Sequence, residues 1–159
     1  MSESGIDSRF LMSIDISFEP PVVATPGLVV INVTGGSFEG PLLRGEMIGP
    51  SGDWARIQDN GNWKIDARLA MRTEEGDTIY CYYGGVVRMT EELAARSAAG
   101  EVLTGEDLYL RSAPNFETSS EKFAWLNDIM AVGKMTKFGG GKLGYDVYEI
   151  LSFLPFLRH

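Results

Sequence analysis

The 159-residue sequence contains one cysteine, Cys81, and one histidine, His159. A single cysteine excludes an intrachain disulfide, and its place in the apolar-aromatic segment Ile79-Tyr80-Cys81-Tyr82-Tyr83 points to an inert buried thiol. With histidine confined to the last residue, no Ser-His-Asp triad, Cys-His pair or histidine-rich zinc or iron site can be built within one chain. Long apolar runs are also missing. Leu28 to Ile31 falls far short of the roughly 20 residues that span a bilayer, and no basic start precedes an apolar stretch at the N-terminus. A soluble, cytoplasmic protein without membrane association is expected. Positive charge is scarce, with 14 Lys and Arg against 22 Asp and Glu, and it gathers into no run. A net charge of −8 repels phosphate backbones, so nucleic acid is not an expected partner, and the lack of soft-ligand clusters argues against a metal or other cofactor.

What the sequence does have is punctuation. Gly and Pro recur at short intervals between segments rich in Val, Ile, Thr and aromatics, the mark of successive strands and turns. Strands are predicted near Phe10–Glu19, Leu28–Ser37, Gly40–Ile48, Trp54–Ile57, Asn62–Arg72, Thr78–Met89, Asp107–Ala113, Ile129–Lys137 and Leu143–Leu151. Asp59-Asn60-Gly61 and Glu75-Gly76-Asp77 supply hairpin turns. Two short helices interrupt: one capped by Thr90, led by Glu91 and Glu92 and ended by Gly100, the other over Ser119–Leu126 with capping-box spacing between Thr118 and Glu121. The expected fold is all-β, an antiparallel closed or nearly closed barrel of about 8–10 strands, because closure removes exposed edges; a sandwich is the alternative. The whole chain, 1–159, forms one domain in this reading, with residues 1–9 as a flexible lead.

Several motifs resolve into structure rather than chemistry. Gly139-Gly140-Gly141-Lys142-Leu143-Gly144 has dinucleotide-site spacing, but Tyr145-Asp146-Val147-Tyr148 after it alternates like a strand, where a phosphate cradle needs a helix. The glycines read as a hairpin loop. The acidic pairs Glu74-Glu75, Glu91-Glu92 and Glu106-Asp107 flank turns and helix starts, where solvated carboxylates are ordinary. Trp63 reads as core, with ligand stacking as the alternative.

The segment Trp63–Arg72 alternates strictly, with Ile65, Ala67, Leu69 and Met71 on one face and Lys64, Asp66, Arg68 and Arg72 on the other. The charged face is either a solvated exterior or a lumen in which Asp66 and Arg68 orient a polar substrate. Tyr80, Tyr82, Tyr83, Tyr109, Arg111, Tyr145 and Tyr148 on later strands offer hydroxyls, a guanidinium and flat apolar faces to an enclosed ligand. Asp53-Trp54 follows a restrictive turn, and Glu117 and Asn127 flank a short helix from which both could face one mouth.

The ordered set Gly49-Pro50-Ser51-Gly52-Asp53-Trp54, Asp66-Ala67-Arg68, Arg72-Thr73-Glu74-Glu75-Gly76-Asp77-Thr78-Ile79, Tyr109-Leu110-Arg111, Pro114-Asn115-Phe116-Glu117-Thr118 and Trp125-Leu126-Asn127 resembles the bacterial and fungal family known as domain of unknown function 3237, or uncharacterised protein family 0311. The resemblance spans about residues 10 to 151. It implies a lipocalin-like barrel of small-molecule enzymes or binders, encoded near genes of aromatic degradation or secondary metabolism, with no common reaction. One departure is Pro50-Ser51-Gly52, where Pro-Gly-Gly is more typical.

With histidine, metal clusters and nucleotide loops set aside, the remaining tools are carboxylates, phenols and guanidiniums, which suffice for proton abstraction and oxyanion stabilisation. The expected function is a cofactor-independent lyase, isomerase or cyclase acting on an aromatic or polyketide-like small molecule. The alternative is a non-catalytic carrier barrel, and a third reading is a packed structural barrel. Asp53 or Glu117 is the candidate base and Tyr83 or Tyr109 the acid. Arg68 or Arg111 is the anchor, Trp54 and Trp125 are the ligand walls, and Asp66 and Asn127 are further substrate contacts. A homodimer is possible in this reading. Prolonged exposure to a strong chelator is expected to leave the melting temperature unchanged; a stoichiometric, tightly held transition metal in the purified protein would overturn that expectation.

Overall fold

The structure is a computed structural model that describes residues 5–151. Eleven strands run in chain order: β1 Ser8–Phe18, β2 Val22–Thr25, β3 Leu28–Glu39, β4 Arg44–Ile57, β5 Trp63–Thr73, β6 Thr78–Arg88, β7 Leu103–Thr104, β8 Tyr109–Ser112, β9 Asn115–Glu117, β10 Ala131–Gly139 and β11 Lys142–Ile150. One helix, α1, spans Glu91–Ala98, and a single 3-10 turn spans Ala124–Asp128. Neighbours follow the order β1-β11-β10-β8-β6-β5-β4-β3, and β3 pairs back onto β1, so eight antiparallel strands close a barrel. Closure leaves no long edge unpaired. The short strands β2, β7 and β9 attach to β3, β10 and β6. Among the described residues no helix is long and apolar enough to cross a membrane.

Period-two alternation assigns each side chain to the interior or the exterior. In β5, Ile65, Ala67, Leu69 and Met71 are buried, while Lys64, Asp66, Arg68 and Arg72 are exposed. Met12, Ile14, Phe38, Met71, Ile79 and Met135 fill one half of the interior, joined by Phe123 and Leu126 from around the 3-10 turn. The other half is left partly empty.

Local chemistry explains where elements start and stop. Thr90 accepts the Leu93 amide at 3.1 Å and caps α1, as its position predicts, and Gly100 takes up the positive φ beyond the helix end. The Gly139–Lys142 hairpin joins β10 to β11 through three glycines of positive φ, so this glycine run is a loop.

Three expectations need correction. Gly40–Ile48 and Trp54–Ile57 are not separate strands, because β4 runs on through Gly49-Pro50-Ser51, with a cis Gly49–Pro50 bond, as a bulge. Between the pairs Ile48–Ala70 and Gly52–Arg68, β4 advances four residues while β5 advances two. Ser51 satisfies the break by donating to the Ile48 carbonyl at 2.7 Å and accepting the Ala70 amide at 2.9 Å. Secondly, Ser119–Leu126 forms no α-helix. The Thr118 hydroxyl accepts the Ser120 amide but gives its proton to the Thr78 carbonyl at 2.7 Å, which ties it to β6 rather than to a helix start. Finally, residues 8 and 9 of the expected flexible lead belong to β1, which begins at Ser8, and the Asp7 carbonyl accepts the Leu151 amide at 2.9 Å. The rest of that lead, residues 1–4, lies outside the described residues, as does His159.

The seam that closes the barrel depends on backbone contact. Gly36 pairs with Ile16 across β1–β3 at a φ of +142°, and a Cβ there would sit 2.1 Å from the Asp15 carbonyl oxygen. Its neighbour Gly35 has open space around the same position. Gly36→Ala is therefore expected to lower unfolding free energy by more than about 1 kcal/mol, while Gly35→Ala leaves it within about 0.5 kcal/mol. Urea denaturation of both variants checks this, and equal midpoints would show that the seam is not so tightly constrained.

Candidate functional site

Residues directly opposite on antiparallel strands point to the same face, so register alone builds the site. Ile31 pairs with Asp53, Asp53 with Ala67 and Ala67 with Tyr83, which sets these four side chains in one row across β3, β4, β5 and β6. All four face the empty half of the interior. The four-against-two count of the β4 bulge preserves parity, so Asp53 points inward like Met47 before it. Ala67 between Asp53 and Tyr83 offers only a methyl group, which leaves room for the two longer side chains to converge above it. Across the lumen, β11 presents Tyr145, whose ring meets Tyr83 edge to face at 5.7 Å between centroids.

The cavity is narrow, about 60 Å³, enough for several water-sized bodies or the leading edge of a flat ring. Its floor and deep walls are buried: Ile16, Ala67, Leu69, Tyr83 and Tyr145. Phe18, Ile31, Trp63, Met89 and Phe138 are half-buried at its outer part, with Phe18 and Phe138 stacked at 6.1 Å. Among the described residues, Asp53, Tyr83 and Tyr145 are the only side chains of the lining that carry hydrogen-bonding oxygen, and no Lys or Arg lines it.

Burial governs their protonation. Loss of water around Asp53 raises its carboxyl to about 6, partly offset by the Asp66 amide that donates to Oδ1 at 2.9 Å, and the Asp66 charge pushes it up further. Oδ2 accepts no hydrogen bond from a described residue and is available to a guest. Both phenols are pushed up, first by burial, and the Asp53 charge adds to the effect. They remain protonated donors at neutral pH. The Tyr83 and Tyr145 hydroxyls interact with each other, and each carries a proton that can turn toward a guest. Cys81 is fully buried and burial raises its thiol, in keeping with an inert side chain.

Of the sequence-derived candidates, the structure brings together only Asp53 and Tyr83. Asp66 and Arg68 take the exterior alternative: both are exposed and pair with each other at 3.6 Å. Trp54 follows Asp53 on the strand and so faces out, 42% exposed, above Arg68. Glu117 pairs with Tyr80 on the outer face of β6 and is exposed. Tyr109 and Arg111 flank the buried Leu110 and so point outward, Arg111 at 4.5 Å from the Tyr109 ring. Trp125 is half-buried against the filled half of the core, away from the cavity lining. Asn127 braces the loop, accepting the Thr118 amide and donating to the Thr118 and Ala124 carbonyls. Sequence reasoning named Tyr145 among the hydroxyls offered to an enclosed ligand without giving it a role in the site, and it set Trp63 in the core with ligand stacking as the alternative. The usable signal was β11 alternation, which puts Tyr145 and Val147 on the inward face. Among the described residues, no group of three His, Cys, Asp or Glu side chains is placed to hold a metal ion.

Comparison with known proteins places this geometry in context. The family model described as "Protein of unknown function (DUF3237)" matches residues 7–150. The UPF0311 protein RPA1785 of Rhodopseudomonas palustris is 25% identical over 122 residues, covering 77% of this chain and 79% of that protein. Its crystal structure superimposes with a TM-score of 0.88 at 22% identity, covering 94% of this chain and all of the other. A beta-barrel like protein from Acinetobacter baumannii gives 0.77 at 27% identity, covering 94% and 99% of the two chains. A structure described as an enzyme from Penicillium herquei gives 0.66 at 21% identity, covering 95% and 98%.

The raised carboxyl of Asp53 has a thermodynamic consequence with a definite sign. The folded state holds this proton more tightly than the unfolded chain does. Its contribution is therefore most favourable below 3.8 and is lost as pH climbs to about 6. Asp53→Asn keeps an Oδ1 acceptor for the Asp66 amide but removes the ionisation. The melting temperature of the variant minus that of the wild type should thus be more positive at pH 7.5 than at pH 4. A difference that does not change with pH would mean that Asp53 is solvated.

Proposed function

The chain belongs to the DUF3237 family, and from its lumen we propose that it binds a small, flat, uncharged molecule and moves one of its protons without a cofactor, as a lyase, isomerase or cyclase does. The observation that carries this reading is the isolation of Asp53 in an otherwise apolar cavity beside two protonated phenols. A carboxyl near 6 is ionised at neutral pH yet more basic than a surface carboxylate, which suits a general base. Asp53 Oδ2 takes the proton. Tyr145, packed edge to face against Tyr83, donates to the substrate oxygen on which negative charge develops, and the dry surroundings strengthen that hydrogen bond.

The lining also limits the substrate. Without a cation in the cavity, an anionic group would be buried unpaired beside the Asp53 charge, at severe cost. An aromatic or polyketide-like ring bearing a hydroxyl or ketone satisfies the same lining. Catalysis on this fold has a precedent in the Penicillium herquei neighbour, although shared fold alone assigns no reaction. A carrier role is the second reading. It is favoured by the narrowness of the cavity, which can grip the leading edge of a ring without any chemistry.

Solvent deuterium exchange separates the two. Small cyclic ketones and phenols that quench Trp63 fluorescence saturably are incubated with the protein in D2O and followed by proton NMR. The enzyme reading expects exchange at an acidic C–H, faster as pH rises through about 6. Asp53→Asn should slow it on the order of 10²- to 10⁴-fold and Tyr145→Phe about 10²-fold, with binding kept. Saturable binding without exchange by any bound compound makes the protein a carrier.

A further inference from the structure

The residues that the lumen does not use gather on the outside of the same wall. Register lines up Arg56, Lys64, Val86, Arg111 and Lys134 as direct partners across β4, β5, β6, β8 and β10, four cations in one outward row that ends where Lys134 meets Asp146 on β11. None of these cations, nor the neighbouring Arg88, forms an ion pair with a described residue. On a chain of net charge −8, counter-charges would be easy to supply, so a row without an ion pair is a concentrated exception. Two acids border the row: Asp146, which accepts the Ser13 hydroxyl at 2.6 Å, and Asp66, the direct partner of Gly84, which is engaged by Arg68.

Two further features shape this row into a site. The guanidiniums of Arg88 and Arg111 lie 4.2 and 4.5 Å from the centre of the Tyr109 ring, and Arg111 Nη1 also donates to the Leu110 carbonyl at 3.1 Å, which positions the group and leaves its other N–H donors for a partner. Beside them β6 carries Gly84 and Gly85. Gly85 is required, because a Cβ there would stand 2.5 Å from the Arg111 carbonyl oxygen. Gly84 is not. Its Cβ would meet only the Ile65 carbonyl oxygen, at an ordinary 3.6 Å, and its φ is not positive. An exposed strand glycine without steric cause costs strand stability and leaves a trough where a ligand can reach the backbone. That trough is a groove lined by Lys64, Gly84, Gly85, Tyr109, Arg111 and Ala113.

We propose that the groove over Gly84 is a binding site for the carboxylate or phosphate group of a small molecule, held between Lys64 on one wall and Arg111 on the other. Lys64 and Arg111 stand two strands apart, about 10 Å at the backbone, a span that one oxyanion can bridge between two long side chains. A symmetric second copy is a poor occupant, because a two-fold axis on this face would set like cations against each other. The site lies on the opposite side of the wall from Asp53 and stands whether or not the lumen is catalytic.

The test is an amide-resolved NMR titration of the full chain with sodium phosphate and, separately, sodium benzoate, at ionic strength held constant with sodium chloride. The expected result is saturable movement of the Gly84, Gly85 and Val86 amides with at least one of the two anions, and the anion that saturates identifies the group. Gly84→Val leaves the net charge untouched and fills the trough, so it should weaken binding about tenfold or more. Lys64→Gln and Arg111→Gln should each do the same through loss of a charge-assisted hydrogen bond. Asp53→Asn should bind as the wild type does. Linear, unsaturated shifts with both anions, or wild-type affinity in Gly84→Val together with Lys64→Gln and Arg111→Gln, would overturn the site and reduce the row to unspecific counter-ion attraction.

Discussion

Everything in this molecule depends on the closed hydrogen-bond circuit from β1 round to β3 and back to β1. Once a sheet closes, each strand residue has two destinations only, the lumen or the solvent, and parity decides between them. The circuit is completed at a place with no room for a side chain, where Gly36 lies against the Asp15 carbonyl. It also tolerates irregularity only in parity-preserving form. The β4 bulge adds two residues rather than one, and a single-residue bulge there would have turned Asp53 outward and Trp54 inward.

Given that constraint, the chemistry of the interior is a matter of what little polarity is admitted. One half of the lumen is filled by Met, Ile, Leu and Phe, and the other is apolar except for one carboxyl and two phenols. Those three groups perturb one another. Burial first, with the Asp53 charge in addition, keeps the phenols protonated, and burial keeps Asp53 poised near neutrality. In water the same residues would be unremarkable side chains with ordinary titration. Their properties come from desolvation, which is a property of the barrel and not of any one strand.

The family, the β-class and the closed barrel were legible in the sequence, because turn residues and alternating segments report local geometry directly. The direction of Asp66 and Arg68 was not. A charged alternate face reads identically whether it lines a wet lumen or the exterior, and only the buried Ile65, Ala67 and Leu69 between them show which side became the core. Tyr109 and Arg111 were misplaced for the same reason, since β8 offers only four residues from which to judge a period. Glu117 and Asn127 were misplaced because a capping-box pattern suggested a helix where Thr118 instead bonds to β6. Asp53 and Tyr83 were found singly. Their convergence over Ala67, and the arrival of Tyr145 from 62 residues further along the chain, are consequences of register that no local pattern encodes.

The wall formed by β5 and β6 is one residue thick, and its two faces have opposite character. Ile65 contributes to the lining of both the lumen and the outer groove, and a Cβ on Gly85 would come within 3.1 Å of its Cδ1. Inward, the wall presents alkyl and phenol surface beside a carboxylate, a setting that rejects anions. Outward, it presents Lys64 and Arg88, joined by Arg111 from β8, around a strand glycine whose partner Asp66 is held by Arg68, a setting that attracts them. Segregating the two keeps cations away from Asp53. A guanidinium within the lumen would hold that carboxyl ionised far below neutrality and remove the basicity that burial creates. The outward placement of Arg68 and Arg111 is therefore a condition for a raised Asp53 and does not count against a polar site in the lumen.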